Sequence, residues 1–318
     1  MRRVAVLVGV GSLVAVGIVV AGCRRRQLAP AGPGDCAEGD RAETLATEIA
    51  PDVHLIGPWG RTQTNAYLVR EGSSWVLVDA GWGSDGARIQ AAARSLLGPD
   101  HAPSAILLTH AHPDHAGSAR ELADAWGCLV HAHPDEIPLA TGDFAAMGRH
   151  AGPMDRWLIL PLMRGIGRQR REAALARSSL AGIARPLGPG GVIPGLDGWE
   201  WIHTPGHTPG HVVYVRTRDR VVLSGDALLT LEVNRAAGIL CGRQGLSEPP
   251  WYTTWDRRAA VASIAEIANL APSVLGTGHG LPLVGPETAA AIQEFADRAG
   301  GAGLAAGQQA RVREGSAA

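Results

Sequence analysis

The sequence predicts an α/β fold in two halves, each a run of strands followed by helices. Two observations carry that expectation. Short apolar runs recur along the chain, as buried strands do, and helix-like segments bounded by Gly and Pro alternate with them. Histidines and aspartates stand just after several of those runs, often beside a glycine, which is the pattern of a site built by loops at one edge of sheets.

Residues 1–26 read as a separate unit. Arg2 and Arg3 precede an uncharged apolar stretch over residues 4–22. At about 1.5 Å per residue it is long enough to cross roughly one hydrocarbon core. Val20-Ala21-Gly22-Cys23 resembles a bacterial lipobox, in which Cys23 would be lipidated. The alternative is a retained transmembrane anchor, with Arg24, Arg25 and Arg26 then favouring the cytoplasmic side. We expect an exported, membrane-attached chain, cytoplasmic only if the start site is misassigned. The segment is set aside from the fold. Residues 27–50 are rich in Ala, Gly, Pro and charge and read as a linker that holds Cys36.

The folded domain is expected over residues 51–299. Strands are expected at 53–56, 65–69 and 74–79, with a turn at 70–73. Residues 87–97 have helical period, Ser84 or Asp85 as cap and Gly98-Pro99 as stop. A strand from Ala105, a helix over 117–126, a strand over 128–131 and a short helix from Pro134 follow. Residues 140–190 break this rhythm and read as a helical insertion near the site mouth, whose arginines read as a solvated face. Strands return at 199–203, 212–216 and 220–224, with a hairpin turn at 217–219. A loop then runs to Trp255, followed by a helix from Asp256 to Leu270, a strand from Ser273 and a last helix over 286–299. The Gly/Ala-rich residues 300–318 read as a disordered tail.

Composition excludes some classes. The formal charge is −1, which gives no bulk attraction to nucleic acid, so no nucleic-acid partner is expected. Every basic residue is Arg. The four Cys show no C-x-x-C spacing, which argues against a zinc ribbon or thioredoxin motif.

The chemistry gathers at Thr109-His110-Ala111-His112-Pro113-Asp114-His115, at the end of an apolar run. Histidine is the commonest metal ligand, and carboxylate complements it. The plain alternative is a polar surface loop that happens to hold three histidines. Further ligand-type residues argue against it: His207 in Gly206-His207-Thr208, Asp226 in Ser224-Gly225-Asp226 and His279 in Gly278-His279-Gly280. His54, His101 and His150 lie in ordinary contexts; His131 and His133 read as structural, and His203 as a ligand support or a plain strand residue.

These motifs, in this order, resemble those of the metallo-β-lactamase superfamily over roughly residues 53–299. The resemblance implies an αββα sandwich of two mixed β-sheets with outer helices and metals at one edge. It implies that His110, His112 and His207 hold one metal, that Asp114, His115 and His279 hold a second, and that Asp226 bridges the two. Two divalent ions are implied, zinc being usual and iron or manganese found in some members. A hydroxide between them would be the nucleophile, with Asp114 also orienting it. Asp79, Thr109 and His211 would stand behind the ligands as supports. A bridging Asp226 is closer to glyoxalase II-like thioesterases and lactonases than to true β-lactamases. The short chain after His279 departs from the glutathione-binding pattern of the former.

The function that the resemblance implies is therefore a dinuclear hydrolase of an ester, thioester or lactone bond in a small-molecule substrate. The alternatives are a phosphodiesterase or β-lactamase-like amide hydrolase, a mononuclear iron oxygenase of the persulfide dioxygenase type, and a non-catalytic metal-binding module. Trp59, Trp82, Trp251, Tyr252 and Trp255 are candidates to line an apolar pocket.

Overall fold

Residues with alternating inward and outward side chains build the first sheet. β1 (Thr47–Ala50), β2 (Val53–Trp59), β3 (Thr64–Glu71) and β4 (Ser74–Val78) pair antiparallel in chain order. β5 (Ala105–Leu107), β6 (Leu129–Ala132) and β7 (Ala184–Pro186) then add in parallel, giving seven strands in the order β1 to β7. Parallel neighbours need crossovers. α1 (Gly86–Leu97) supplies the first; the single turn α2 (Pro113–Ala116) and α3 (Ala119–Trp126) supply the second. The third is the insertion: α4 (Ile137–Ala140), α5 (Phe144–Arg149), a π-helical turn at Asp155–Ile159, α6 (Leu160–Gly165) and α7 (Arg168–Ser178).

The second sheet has five strands. β8 (Trp199–His203), β9 (Val212–Arg216) and β10 (Val221–Gly225) form an antiparallel meander. β11 (Leu229–Leu231), α8 (Ala236–Cys241) and β12 (Gln244–Ser247) stand apart, the two strands making a small ribbon. α9 (Arg257–Asn269) then carries the chain to β13 (Val274–Thr277), parallel to β10, and β14 (Leu283–Val284) closes the edge before α10 (Thr288–Gly315). The computed structural model describes residues 45–99 and 101–315.

Three apolar layers hold the elements. Between the sheets, Val53, Leu55, Tyr67 and Val76 meet Trp199, Tyr214, Val221 and Leu223. Outside the first sheet, Leu68, Leu77 and Ile106 pack on Ile89 of α1 and Leu122 of α3. Outside the second, Val213, Val222 and Leu275 pack on Ile264 and Ile267 of α9 and Ile292 of α10. This is the αββα sandwich expected, with two mixed sheets face to face and helices outside.

Several boundaries differ from the sequence reading. β1 already pairs within residues expected to be linker, because Glu48 and His54 fall into register across the tight Pro51-Asp52 turn. The insertion is helical only to Ser178; β7 follows and completes the first sheet. The stretch from Asp226 to Trp255 is not all loop but holds β11, α8 and β12. α10 continues to Gly315, where no structure was expected, since Ala, Gln and Arg favour helix despite the interspersed glycines. The expected anchor over residues 1–26 with Cys23, and Cys36 of the linker, lie outside the described residues. Among the described residues no helix is long and apolar enough to cross a membrane.

The end of β9 ties the sandwich together. Arg216 is fully buried and forks onto Asp219 with two bonds of 2.8 Å, while its Nη1 donates to Pro51 O of the first sheet at 2.8 Å. Removing one partner of a fully buried pair costs about 3–5 kcal/mol. Asp219 is 38% exposed, so Asp219→Ala should destabilise by less, on the order of 2 kcal/mol. Urea unfolding of the variant checks this; an unchanged midpoint would show that the buried guanidinium does not need its carboxylate.

Candidate metal centre

Four strand ends deliver the site. β5 runs into the segment holding His110 and His112, and α2 carries Asp114 and His115. The motif is thus loop followed by one helical turn rather than loop throughout: Pro113 sits in the first turn with His112 as the residue before it, where a missing N–H is harmless. The β8–β9 connection brings His207, the end of β10 brings Asp226, and the end of β13 brings His279.

The expected residues come together in two overlapping groups. His110, His112 and His207 form one, with His112 Nδ1 lying 3.1 Å from His110 Nε2 and 2.9 Å from His207 Nε2. Asp114, His115 and His279 form the other, with His279 Nε2 lying 3.3 Å from Asp114 Oδ2. Asp226 faces both. Its Oδ1 is 3.2 Å from His115 Nε2, and its Oδ2 is 3.4 Å from His279 Nε2 and 3.5 Å from His207 Nε2.

Four of the five candidate imidazoles are held by the far nitrogen; His112 instead turns its Nδ1 to the group. His110 Nδ1 reaches Thr109 Oγ1 at 3.1 Å, and that hydroxyl donates to Asp79 Oδ2 at 2.8 Å. His115 Nδ1 donates to the same Asp79 oxygen at 2.9 Å, and Thr109 N donates to Asp79 Oδ1 at 2.8 Å. His207 Nδ1 meets Thr254 Oγ1 at 3.3 Å, and His279 Nδ1 donates to Thr62 O at 2.8 Å. An acceptor on Nδ1 fixes the tautomer that leaves an Nε2 lone pair for a metal. His211 works through the backbone: its Nε2 accepts from Asp226 N at 3.0 Å, and its Nδ1 reaches Thr204 Oγ1 at 3.0 Å. Asp79, Thr109 and His211 thus all stand directly behind the candidate ligands.

Two glycines are required by space. A Cβ on Gly278 would collide with Asp226 Oδ1 and come within 2.7 Å of His115 Cε1. Gly225 has φ +47°, and a Cβ there would lie 2.6 Å from Thr109 Cβ.

The donors fit divalent metal ions. His115 Nε2 and Asp226 Oδ1 are buried and satisfied by no hydrogen bond, although they face each other. The three nitrogens of the first group point at one another, which is repulsive unless something positive sits among them. The charge balance agrees. Burial and the neighbouring histidines hold His110 and His207 well below the ordinary imidazole range, so both imidazoles are neutral, as a metal would need them. Burial pushes His211 down to about 3. Burial acts against charge on His115 and His279 as well, but the carboxylates of Asp226, Asp79 and Asp114 outweigh it for His115, and those of Asp226 and Asp114 for His279. They raise His115 well above its usual value and His279 to about 10. Asp226 is held well below the usual carboxylate range: burial opposes this, and His279 and His115 override it. Protons on His115 and His279 stand where a cation would.

Glu136, Asn65 and Asp155, which the sequence did not single out, join residues that it had named in other roles. Glu136 is fully buried; its Oε2 accepts from Ala111 N at 2.8 Å and its Oε1 from Gly210 N at 2.9 Å. It staples the His110–His112 segment to the His207–His211 loop. In sequence it is one of two acids at a helix start, an ordinary place for them, so nothing marked it. Asn65 Nδ2 donates to Thr277 O and Gly280 O at 2.9 and 2.7 Å, which pins the His279 segment to the first sheet. Tyr252 and Asp155 are near enough to feel the cluster: the charges of Asp226 and Asp114 act on the phenol, and that of His112 acts on Asp155. His150, expected to be ordinary, packs edge-on to Trp255 at 5.2 Å. His133 stacks on His203 at 4.3 Å, and His203 Nε2 reaches Pro209 O at 2.9 Å, so that pair buttresses the His207 loop.

Two packed mixed sheets with histidines and carboxylates converging at one rim define a metal-binding α/β sandwich. The model of the metallo-beta-lactamase superfamily matches residues 59–279, and the chain belongs to that superfamily. It is 35% identical over 240 residues to the probable metallo-hydrolase YflN of Bacillus subtilis, covering 74% of this chain and 87% of that one. It is 31% identical over 225 residues to the uncharacterized protein YobT of the same organism, covering 70% and 85%. Among solved structures it is similar in fold to the metallo-beta-lactamase family protein TTHA1429 of Thermus thermophilus (23% identity, 84% of this chain and 82% of that one, TM-score 0.57). It is also similar in fold to BJP-1, a subclass B3 metallo-beta-lactamase of Bradyrhizobium japonicum (16% identity, 84% and 96%, TM-score 0.54).

Two outcomes are expected. Glu136→Ala strands two backbone N–H groups and should weaken metal binding by about 10–100-fold, measured by competition with a chromogenic chelator; unaltered affinity would sink the staple. The metal-stripped protein should be most stable near pH 6.5. Above it, the stability tied to protonated His279, full below its unfolded value of 6.5, is lost as pH rises toward its folded value of about 10. Below it, the unfolded chain protonates His110, His207 and His211 before the folded one does, so stability falls again. Denaturant melts across that range check the sign; a steady rise from neutral to alkaline pH would contradict it.

Proposed function

We propose that the chain is a dinuclear metal hydrolase that cleaves an ester, thioester or lactone. The observation that carries this reading is the Asp226 carboxylate, with one oxygen toward His115 and the other toward His279 and His207. A carboxylate aimed at both groups suits two ions better than one. The resemblance to a probable metallo-hydrolase supports the same reaction class.

His110, His112 and His207 would hold one ion, Asp114, His115 and His279 the other, and Asp226 both. The nitrogen and oxygen donor set suits zinc, and also iron or manganese. When bound, a pair of such ions supplies hydroxide near neutrality and neutralises negative charge on the oxygen under attack.

The chain's own groups do the rest. Asp114 is 18% exposed at its side chain, so one face of the carboxylate is open to an incoming water and can accept its hydrogen bond. Burial, reinforced by Asp226 and Asp114, pushes the Tyr252 phenol up to about 12. It therefore keeps its proton at neutral pH and can donate a hydrogen bond to a substrate oxygen. Burial also raises Asp155, against the pull of His112. Trp251, Tyr252 and Trp255 line the same stretch of chain and suit an apolar acyl or ring portion.

Elemental analysis of purified protein should find about two divalent ions per chain. Chelation should abolish turnover of an ester, thioester or lactone, and re-addition of zinc should restore it. His112→Ala should lower both metal content and turnover by about 100-fold or more. One iron per chain, with oxygen consumption and no hydrolysis, would replace this reading with an oxidative one.

A further inference from the structure

The insertion carries an apolar surface that its own fold does not cover. The π-helical turn Asp155–Ile159 runs directly into α6. Leu160 and Met163 point inward and are buried. Trp157, Leu158 and Leu162 point outward, with exposures of 80%, 53% and 49%. A helix on a water-facing surface ordinarily turns charged or polar residues outward. This one is apolar on both sides, and Pro161 continues the outer face.

The surroundings are strongly basic. Residues 155–178 hold six arginines against two carboxylates, in a chain whose formal charge is −1. Arg168 is paired with Glu172, and Arg171 lies over the Phe144 ring at 4.2 Å. Arg156, Arg164, Arg170 and Arg177 are exposed and make no ion pair among the described residues. An exposed Trp, two Leu and a rim of Arg are the composition of an interfacial helix. The apolar side chains enter the headgroup and acyl boundary, and the guanidinium groups reach lipid phosphate.

We propose that the Asp155–Gly165 segment docks on an anionic lipid surface. Charge complementarity selects that occupant. A second copy meeting this face across a twofold axis would bring two arginine rims together, and a nucleic acid would leave the apolar centre without a partner. The docked element also borders the candidate metal centre. Asp155 begins it, and Met154 N donates to Tyr252 O at 2.7 Å, two residues before Thr254, which meets His207 Nδ1 at 3.3 Å. Docking therefore sets the mouth of the centre at the headgroup layer, where an amphiphilic ester would be presented; that substrate class rests on the hydrolase reading above, whereas the docking itself does not.

The experiment is hydrogen exchange by mass spectrometry on the full chain, with and without vesicles of equal parts phosphatidylcholine and phosphatidylglycerol. Amides of residues 156–166 should exchange at least about threefold more slowly with these vesicles, and show a smaller effect with phosphatidylcholine alone. In the double variant Trp157→Glu, Leu162→Glu the slowing should vanish, while metal content and turnover of a soluble ester stay at wild-type level. Vesicle binding with unchanged exchange over this segment would overturn the proposal, since another part of the chain would then hold the lipid. Protection that appears without lipid and grows with protein concentration would overturn it in favour of a second copy. Failure of the hydrolase reading would show separately, as absent turnover with the lipid-dependent protection intact.

Discussion

Burying several ionisable side chains at contact distance is unfavourable unless each is held and the cluster as a whole is balanced. That constraint organises this protein. His110, His115, His207, Asp226 and His279 are nearly inaccessible, yet each is fixed by a partner outside the cluster. Asp79 is the hub of that support. One carboxylate receives Thr109 N, Thr109 Oγ1 and His115 Nδ1, and thereby aligns the first histidine segment with the third imidazole. Asp79 reaches this position at φ +59°, a region that Asp tolerates better than most residues. The remaining imbalance, nitrogens facing nitrogens and an unsatisfied carboxylate oxygen, is what a bound cation would relieve.

The sandwich positions this cluster because strands of both sheets end at one rim. Val212 N donates to Thr109 O, Asn65 N to Gly278 O and Gly280 N to Gln63 O, so each sheet grips the other's ligand-bearing segment. Neither half of the chain holds a complete set of donors. The first supplies His110, His112, Asp114 and His115, and the second supplies His207, Asp226 and His279. Metal affinity and sheet packing are therefore linked, and loss of either weakens the other.

The centre was legible in the sequence to an unusual degree because its residue types are chemically distinctive and tied to short apolar runs. The seven candidate ligands and the three supporting residues could be named from these motifs together with the family resemblance they carry. What escaped notice was determined by contact rather than composition. Glu136 resembles any acid at a helix start until its two backbone donors are seen. Thr254 resembles any loop threonine until it lies against His207. The long central strands were readable from their apolar runs. β7, β11 and β14, of two or three residues each, exist because a neighbouring strand presents a free edge, and no local pattern announces that.

The ligand set defines chemistry more closely than it defines substrate, and the structure shows where the two meet. The stretch from Pro250 to Trp255 serves both. Thr254 Oγ1 bridges Pro250 O and His207 Nδ1, and Trp255 N donates to His207 O, so this stretch sets the orientation of a candidate ligand. Its other side accepts Met154 N at Tyr252 O, and Gly152 lies so close to Thr253 that a side chain there would not fit. The insertion is therefore clamped to a segment that also holds His207 of the candidate centre. A displacement of the insertion cannot leave His207 untouched, because six residues carry both contacts. The insertion and the candidate centre are coupled through that strip of backbone, and whatever moves the one acts on the other.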